Sequence, residues 1–587
     1  MAVETPTRAE APRAAQVAAP RRMSASEALV ETLRAEGVTL VPGIVGSAYM
    51  DALDLFPAAG IRFLPTAHEQ AAAHLADGFT RVTGRPTAII AQNGPGVTNF
   101  VTAVAAAYWN HTPMVVITPS AGSMTTGLGG FQEADQLPIF ARVTNWQVQV
   151  NRPERMAELV RRAFYVARAE NGPVQVDIPR DYFYGEGEYE IYPSPNLERG
   201  PGPEHLIEQA ARLLVEARFP VIISGAGVVL ADAVEEVQQL AEYLSAPVVN
   251  SYLHNDSFPH THPLAAGPLG YQGSKAAMRL TSRADVILAL GCRINPFGIV
   301  PQYGVDWWPK DAAIIQVDVD HRRLGLTRKI QVGIAGDARA AGAALVRKVR
   351  ELQPRRERNE ARVREVADEK RAWEQELASW SNTSGSPVPP RRALSLLEQV
   401  LPRDVVVTTD IGNICSVSNS YLRFEKPRQF LAAGTFGNCG YAYPTALGAK
   451  LGRPDAPVVA YVGDGAWNMD LGEVLTAVRE DIPVVAVVFN NSQWGAEKKN
   501  QIEFYGSRFV GTNLKNPSWA EVARAQGAEG FRVEREQDLQ EALSAALRSG
   551  LPAVVDVLVT QELADPFRRD ALKKPTRLLE QYRHLTG

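Results

Sequence analysis

The arrangement that most constrains how this chain can fold is a pair of apolar runs, each ending in small polar residues, with twenty-four residues between the two polar ends. The run 456–462 leads into Gly463-Asp464-Gly465, and the run 482–489 leads into Asn490-Asn491. Apolar runs without alternation read as strands buried on both faces, the pattern of a parallel sheet. Parallel neighbours need a crossover, and residues 469–480 are compatible with the helix that would provide it. The result is one βαβ unit. Its two polar ends meet at the carboxyl edge of the sheet, where open α/β sheets hold ligands. Asp464 and the Asn491 amide oxygen there offer hard oxygen ligands suited to Mg²⁺ or Ca²⁺. Glycines on both sides of Asp464 let the backbone come close to a phosphate. The spacing therefore predicts a cation site for a diphosphate.

The 587 residues leave room for about three to four domains. A chain that is 45% hydrophobic and 21% charged, with a net charge of -4, has an ordinary globular composition and gives no support for nucleic-acid binding. A small ligand is the expected partner. Cys292, Cys415 and Cys439 are the only cysteines and lack CxxC spacing, which disfavours disulfides and zinc and predicts a reducing cytoplasm. No apolar run reaches the roughly 18 to 20 residues of a membrane span. Residues 1–22 are rich in Ala, Pro and Arg without an apolar core segment, and read as a disordered extension, with a transit peptide as the other reading.

Alternating helical patterns and apolar runs over 23–185 predict a first α/β domain, with strands at 87–91, 113–118 and 174–178 and a loose segment at 181–203. A central α/β domain over 200–350 has Gly225-Ala226-Gly227 after a run at 221–224 and further strands at 247–250, 285–290 and 313–319. A charged linker covers 351–390, and the Arg- and Glu-rich stretch 349–379 reads as a solvated helical connector. The third α/β domain spans 391–562 and carries the opening motif. A tail over 563–587 contains Arg568, Arg569, Lys573, Lys574 and Arg577, and such basic tails are most often solvated.

Residues 463–491 resemble the signature of thiamine-diphosphate enzymes, and the three-domain order resembles the acetohydroxyacid synthase and pyruvate oxidase branch. The resemblance covers essentially the whole chain after the extension. It implies an α/β fold of three doubly wound parallel-sheet domains: pyrimidine-binding, central and diphosphate-binding. It also implies thiamine diphosphate and Mg²⁺ as cofactors. Asp464 and Asn491 would ligate the metal by side chain and Gln493 by its main-chain carbonyl, with Gly463, Gly465 and Ala466 beside it. Ile411-Gly412-Asn413 would touch the diphosphate. In Ala67-His68-Glu69-Gln70, Glu69 stands where the family places the carboxylate that hydrogen-bonds the pyrimidine N1′ and promotes loss of the C2 proton. Gly94-Pro95-Gly96-Val97-Thr98-Asn99 follows at the family distance, so Gly94 and Asn99 join the cofactor-binding set. In Gly437-Asn438-Cys439-Gly440, Cys439 replaces the larger apolar residue that wedges the cofactor into its bent form. Because the domains of Glu69 and Asp464 pair between subunits in such enzymes, the resemblance implies at least a homodimer, and a homotetramer as the fuller assembly.

Further stretches, Ala107-Tyr108-Trp109-Asn110-His111-Thr112-Pro113, Gly129-Gly130-Phe131-Gln132-Glu133, 491–501 and 567–575, resemble the sulfoacetaldehyde acetyltransferase family. That family converts sulfoacetaldehyde and phosphate to acetyl phosphate and sulfite. Glu497, Lys498, Asn500 and Arg568 are the candidates for sulfonate or phosphate, with one of Lys498 and Lys499 expected only to solvate a helix. His68, His111 and Gln132 are the polar active-site candidates beside Glu69, and His74 fits a helix one or two turns further on. The stretches 267–271 and 291–296 depart from the flavin-contacting pattern, so FAD is not expected, although Gly225-Ala226-Gly227 leaves a nucleotide open. An acetolactate synthase-like enzyme or a keto-acid decarboxylase is the alternative. A non-catalytic relative should have lost Glu69 or Asp464, and this chain keeps both.

Overall fold

The computed structural model describes residues 19–304, 306–562 and 573–585. Three parallel six-stranded sheets follow one another along the chain, each flanked by helices. In the first, the strands lie in the order Arg62–Pro65, Leu40–Gly43, Thr87–Ile90, Met114–Ser120, Pro173–Pro179, Trp146–Gln149. In the third they lie in the order Phe430–Ala432, Val406–Thr409, Val458–Gly463, Val485–Asn490, Ala553–Leu558, Glu529–Val533. Numbered within each domain, both orders are 2-1-3-4-6-5. The central sheet instead runs 3-2-1-4-5-6, through Ala265–Pro268, Val248–Asn250, Pro220–Ser224, Val286–Leu290, Ala313–Asp318 and Val332–Ala335. Both orders reverse direction beside the first strand, and that switch point opens a crevice at the carboxyl ends.

The motif strands explain why the apolar runs lack polar alternation. Val459, Tyr461, Val485, Val487 and Phe489 enter one core, while Val458, Ala460, Val462, Ala486 and Val488 enter another on the opposite face. The second of these cores also takes Leu75 and Phe79 from the first domain, so the two domains share a hydrophobic layer. Their helices Glu69–Thr83 and Ala442–Gly452 cross closely enough that a Cβ on Gly78 would meet the Thr445 carbonyl and one on Gly448 the Leu75 carbonyl.

Three local expectations are corrected. The crossover helix over 469–480 is two helices, Asp464–Asp470 and Glu473–Arg479, because the chain turns at Leu471-Gly472 so that Glu473 can accept the Ala67 and His68 amides. Asp464 thus opens a helix instead of preceding one. Arg21 and Arg22, placed in the disordered extension, belong to the strand Arg21–Ser24, whose backbone pairs antiparallel with Glu186–Tyr189 inside the stretch read as loose. The charged linker contains the helix Glu360–Ser381, which is not merely solvated. Trp373 and Leu377 are buried, and Glu365, Glu369 and Glu376 pair with Arg283, Arg279 and Lys275 of the central domain.

Candidate active site

At the switch point of the third sheet, two strand ends deliver acidic residues. Val406–Thr409 ends in Asp410, and Val458–Gly463 ends in Asp464. Asp464 is 2% exposed and fully engaged: Oδ1 accepts Gly465 N at 3.0 Å, while Oδ2 accepts Ser492 N at 2.6 Å, Asn491 N at 3.2 Å and Asn516 Nδ2 at 2.7 Å. Burial pushes its carboxyl up to about 6, against the pull of these donors. Burial thus offsets part of what the four donors give the carboxylate, and a cation beside it would favour the charged form further. Asn491 stands beside it at the end of the next strand, and Gln493 is fixed by an isolated bridge to Asn513. Asp464 and Asn491 are therefore brought together at two neighbouring strand ends, with Gln493 two residues further on.

Asp410 does different work. Its carboxylate accepts Ile411 N at 2.9 Å, Tyr441 N at 2.8 Å and Ala442 N at 3.1 Å, tying the Ile411-Gly412-Asn413 turn to the Gly437–Gly440 turn. Gly412 has φ +120° and nothing within 4 Å of where a Cβ would stand. Asn413, first residue of the helix Asn413–Tyr421, has both amide atoms buried without a partner. An open glycine turn, a helix N-terminus and an orphaned amide together fit a diphosphate. Among the described residues no cluster of three His, Cys, Asp or Glu side chains could hold a metal. A cation at Asp464 would draw on amide and carbonyl oxygens and on the diphosphate itself, the donor set Mg²⁺ prefers. The residues present fit thiamine diphosphate with Mg²⁺. Burial raises the Cys439 thiol to about 12, so it stays protonated.

The first domain contributes the other half. Glu69 opens the helix Glu69–Thr83, is 8% exposed, and accepts Asn99 Nδ2 at 2.9 Å. Its second oxygen lies 3.0 Å from where a Gly96 Cβ would stand, so the glycine-rich turn is what lets the carboxylate approach. Gly94, with φ +68°, packs against the Gln132 backbone. Gln132, itself left-handed at φ 58°, accepts Gln92 Nε2 on its side chain at 2.8 Å and Asn93 Nδ2 on its carbonyl at 2.9 Å. His68 is exposed, and its Nδ1 caps the helix by accepting Gln70 N at 3.1 Å.

His111 does not join this group. It ends the ten-residue helix Val101–Asn110, and Asn99 lies at the other end, so a helix length of about 15 Å separates them. His111 instead lines a cavity of about 190 Å³ where all three domains meet, with Arg293, Cys292 and Gly227 of the central domain. Burial and the Arg293 and Arg323 charges push its imidazole down to about 3, keeping it neutral. The two lysines also separate: Lys499 pairs with Glu503 on its own helix at 3.2 Å, whereas Lys498 reaches Gln561 Oε1 at 3.4 Å and lies over the Phe509 ring at 5.1 Å. Gln561 in turn donates to the Asn491 carbonyl at 3.2 Å, joining Lys498 to the strand end that carries Asn491. Asn500 is buried and donates to the exposed Glu497 at 3.4 Å. Arg568 lies outside the described residues.

Sequence reasoning missed Asp410, Asn516 and Gln561. Asp410 repeats the grammar of Asp464, an acid directly after a buried strand with a glycine one or two residues further on, and could have been found by it. Asn516 and Gln561 sit in polar segments with no local signal.

Three family models match the chain: the thiamine pyrophosphate enzyme N-terminal TPP binding domain over residues 23–139, central domain over 207–345 and C-terminal TPP binding domain over 410–557. Among curated relatives, a sulfoacetaldehyde acetyltransferase of Castellaniella defragrans is 56% identical over 96% of this chain and 98% of its own. One of Alcaligenes xylosoxydans xylosoxydans is 53% identical over 96% and 97%. A probable acetolactate synthase large subunit of Methanocaldococcus jannaschii is 32% identical over 93% of each.

Proposed function

Since this chain belongs to the sulfoacetaldehyde acetyltransferase family of thiamine-diphosphate-dependent enzymes, we propose that it converts sulfoacetaldehyde and phosphate to acetyl phosphate and sulfite, with Mg²⁺ holding the cofactor's diphosphate. The observation that carries the substrate reading is the 56% and 53% identity to the two acetyltransferases, set against 32% to the acetolactate synthase. The reaction breaks a carbon–sulfur bond and transfers the acetyl group to a phosphate oxygen, with no external oxidant or reductant. No flavin is required of the central domain. The bound cofactor supplies a nucleophilic carbon and an electron sink for the two-carbon unit.

The chain's own residues divide the remaining tasks. Asp464, the Asn491 side chain and the Gln493 carbonyl hold the cation. Asn413 and the amides after Gly412 hold the diphosphate, since both helix starts present positive dipole ends there. Glu69, oriented by Asn99 and pressed against the Gly96 turn, would hold a hydrogen toward the pyrimidine ring nitrogen of the bound cofactor, the contact on which activation of its C2 position depends. Gln132, held by Gln92 and Asn93, presents a fixed polar group to the aldehyde. Lys498, steered by Gln561 and Phe509, attracts the sulfonate and then the phosphate, both tetrahedral anions that a point charge suits.

A second subunit completes the assembly. Met124, Leu128 and Phe131, on the loop that leads to Gln132, are 87%, 77% and 84% exposed in the single chain. An apolar cluster of this kind fits burial against another copy. Light scattering should give a dimer or a tetramer, and a monomer that turns over would refute this part. Three unpaired cysteines suit a reducing cytoplasm.

The deciding assay combines the purified protein, thiamine diphosphate, Mg²⁺, phosphate and sulfoacetaldehyde. Sulfite and acetyl phosphate should appear in equal amounts and only when all components are present. Carbon dioxide from pyruvate with no sulfite from sulfoacetaldehyde would move the assignment to the acetolactate synthase reading, which the 32% relative favours.

A further inference from the structure

The turn that carries Cys439 is loosely made by its own sequence. Gly437 and Gly440 both lie in the left-handed region, at φ 66° and 76°, so the four residues between the strand side and the helix side have two unconstrained joints. Downstream, Asp410 clamps the Tyr441 and Ala442 amides. At the apex, the contact to another domain is a single hydrogen bond: Asn438 Nδ2 donates to His74 Nε2 at 3.0 Å. His74 is wholly buried and lies edge-on to Tyr441 with ring centroids 5.0 Å apart. Its ring cannot swing away, because Tyr441 is itself held by Asp77 at 2.6 Å and by Arg81 at 2.6 Å.

The bond also sets the chemistry of the imidazole. To accept from Asn438, Nε2 must lack a proton, so the ring is neutral and carries its hydrogen on Nδ1, which has no partner. Burial pushes the imidazole down to about 3, which keeps that acceptor available throughout the neutral range. Asn438 has its Oδ1 buried without a partner, and its Nδ2 also reaches the Cys439 carbonyl at 3.2 Å. The amide is thus pinned between a histidine of the first domain and the backbone of the wedge residue.

We propose that His74 is a positioning residue: by accepting the Asn438 amide hydrogen it fixes the apex of the Gly437–Gly440 turn, and with it the small wedge Cys439, against the thiazolium side of the cofactor. This rests on the thiamine-diphosphate reading above. A larger wedge would hold the bent cofactor by bulk alone. A cysteine fills less space, so the place of its backbone matters more, and His74 supplies that constraint from the same helix that begins with Glu69.

Two substitutions separate the hydrogen bond from packing. His74→Phe keeps the buried ring and its edge contact with Tyr441 but cannot accept, whereas His74→Gln keeps an acceptor. Affinity for thiamine diphosphate with Mg²⁺ is read by quenching of tryptophan fluorescence, exchange of the cofactor C2 hydrogen for deuterium by proton NMR without substrate, and melting temperature on the protein without cofactor. The loss of one buried hydrogen bond should weaken cofactor binding or slow exchange by about tenfold in His74→Phe, with most of the effect restored in His74→Gln. The melting temperature of the cofactor-free protein should stay close to that of the unsubstituted chain in at least the Gln variant. Unchanged affinity and exchange in His74→Phe overturns the proposal, as does an equal loss in both variants that tracks melting temperature. If the unsubstituted protein binds no thiamine diphosphate, the functional reading fails first and this inference with it.

Discussion

The first and third domains arrange six parallel strands in the same order, yet the loops at their carboxyl ends present opposite chemistry. After the second strand, the first domain begins a helix directly with Glu69, whereas the third inserts the glycine-bounded turn that carries Cys439 before its helix starts. After the third strand, the first domain offers the amides of Gln92 and Asn93, and the third offers Asp464. The corresponding helices cross through Gly78 and Gly448. A repeated fold supplies two equivalent crevices, and on the proposed function a handful of loop residues would make one a proton-handling half and the other a metal-holding half.

This contrast can be broken at its strongest point first. Glu69→Ala should lower turnover by about a thousandfold or more, in the range of a lost general acid–base group, while circular dichroism and melting temperature stay near those of the unsubstituted protein. Retained sulfite release would mean that the first domain is not the activating half. Asp464→Ala should weaken apparent Mg²⁺ affinity by about a hundredfold and leave the first-domain turn intact. A titration that saturates at the same Mg²⁺ concentration would take the cation away from this strand end.

The shared crossing is tested by Gly448→Ala. The new Cβ meets the Leu75 carbonyl, and relief requires the two helices to part, at a cost of about 3 kcal/mol in chemical denaturation. A neutral result would show that the two domains do not depend on this contact. Smaller effects divide the anion candidates. Lys498→Ala should raise the phosphate or aldehyde requirement by about tenfold, and Lys499→Ala should change little, because Lys499 is already paired with Glu503. Equal effects would undo the distinction. Smallest of all, His111→Ala should change kcat by less than about twofold, because the residue lines the junction cavity and not the Glu69 crevice.

The glycine spacings were the most legible part of the chain. Gly463-Asp464-Gly465 and Gly94-Pro95-Gly96 follow apolar runs, and a short buried run that gives way to glycines reads as a strand end where the chain changes direction. The break at Leu471-Gly472 was not legible, because the residue that demands it, Glu473, turns back to amides about four hundred positions earlier in the chain. His111 misled for a related reason: its motif is local, but which of two cavities it lines depends on the far end of a helix and on the central domain beyond it.

The sequence by itself determined the parallel α/β layers and the places of Asp464 and Glu69 at the carboxyl edges of their sheets, because each rests on spacing within a single strand–turn–helix unit, and such spacing is set by backbone geometry over a few residues. Only the tertiary structure decided that Asn516 and two backbone amides hold Asp464, that Gln561 links Lys498 to the Asn491 strand end, and that His74 reaches across to Asn438. Those partners come from segments remote in sequence. Hydrophobic burial brings such segments together without any local pattern marking the encounter, so their pairing appears only once the domains have packed.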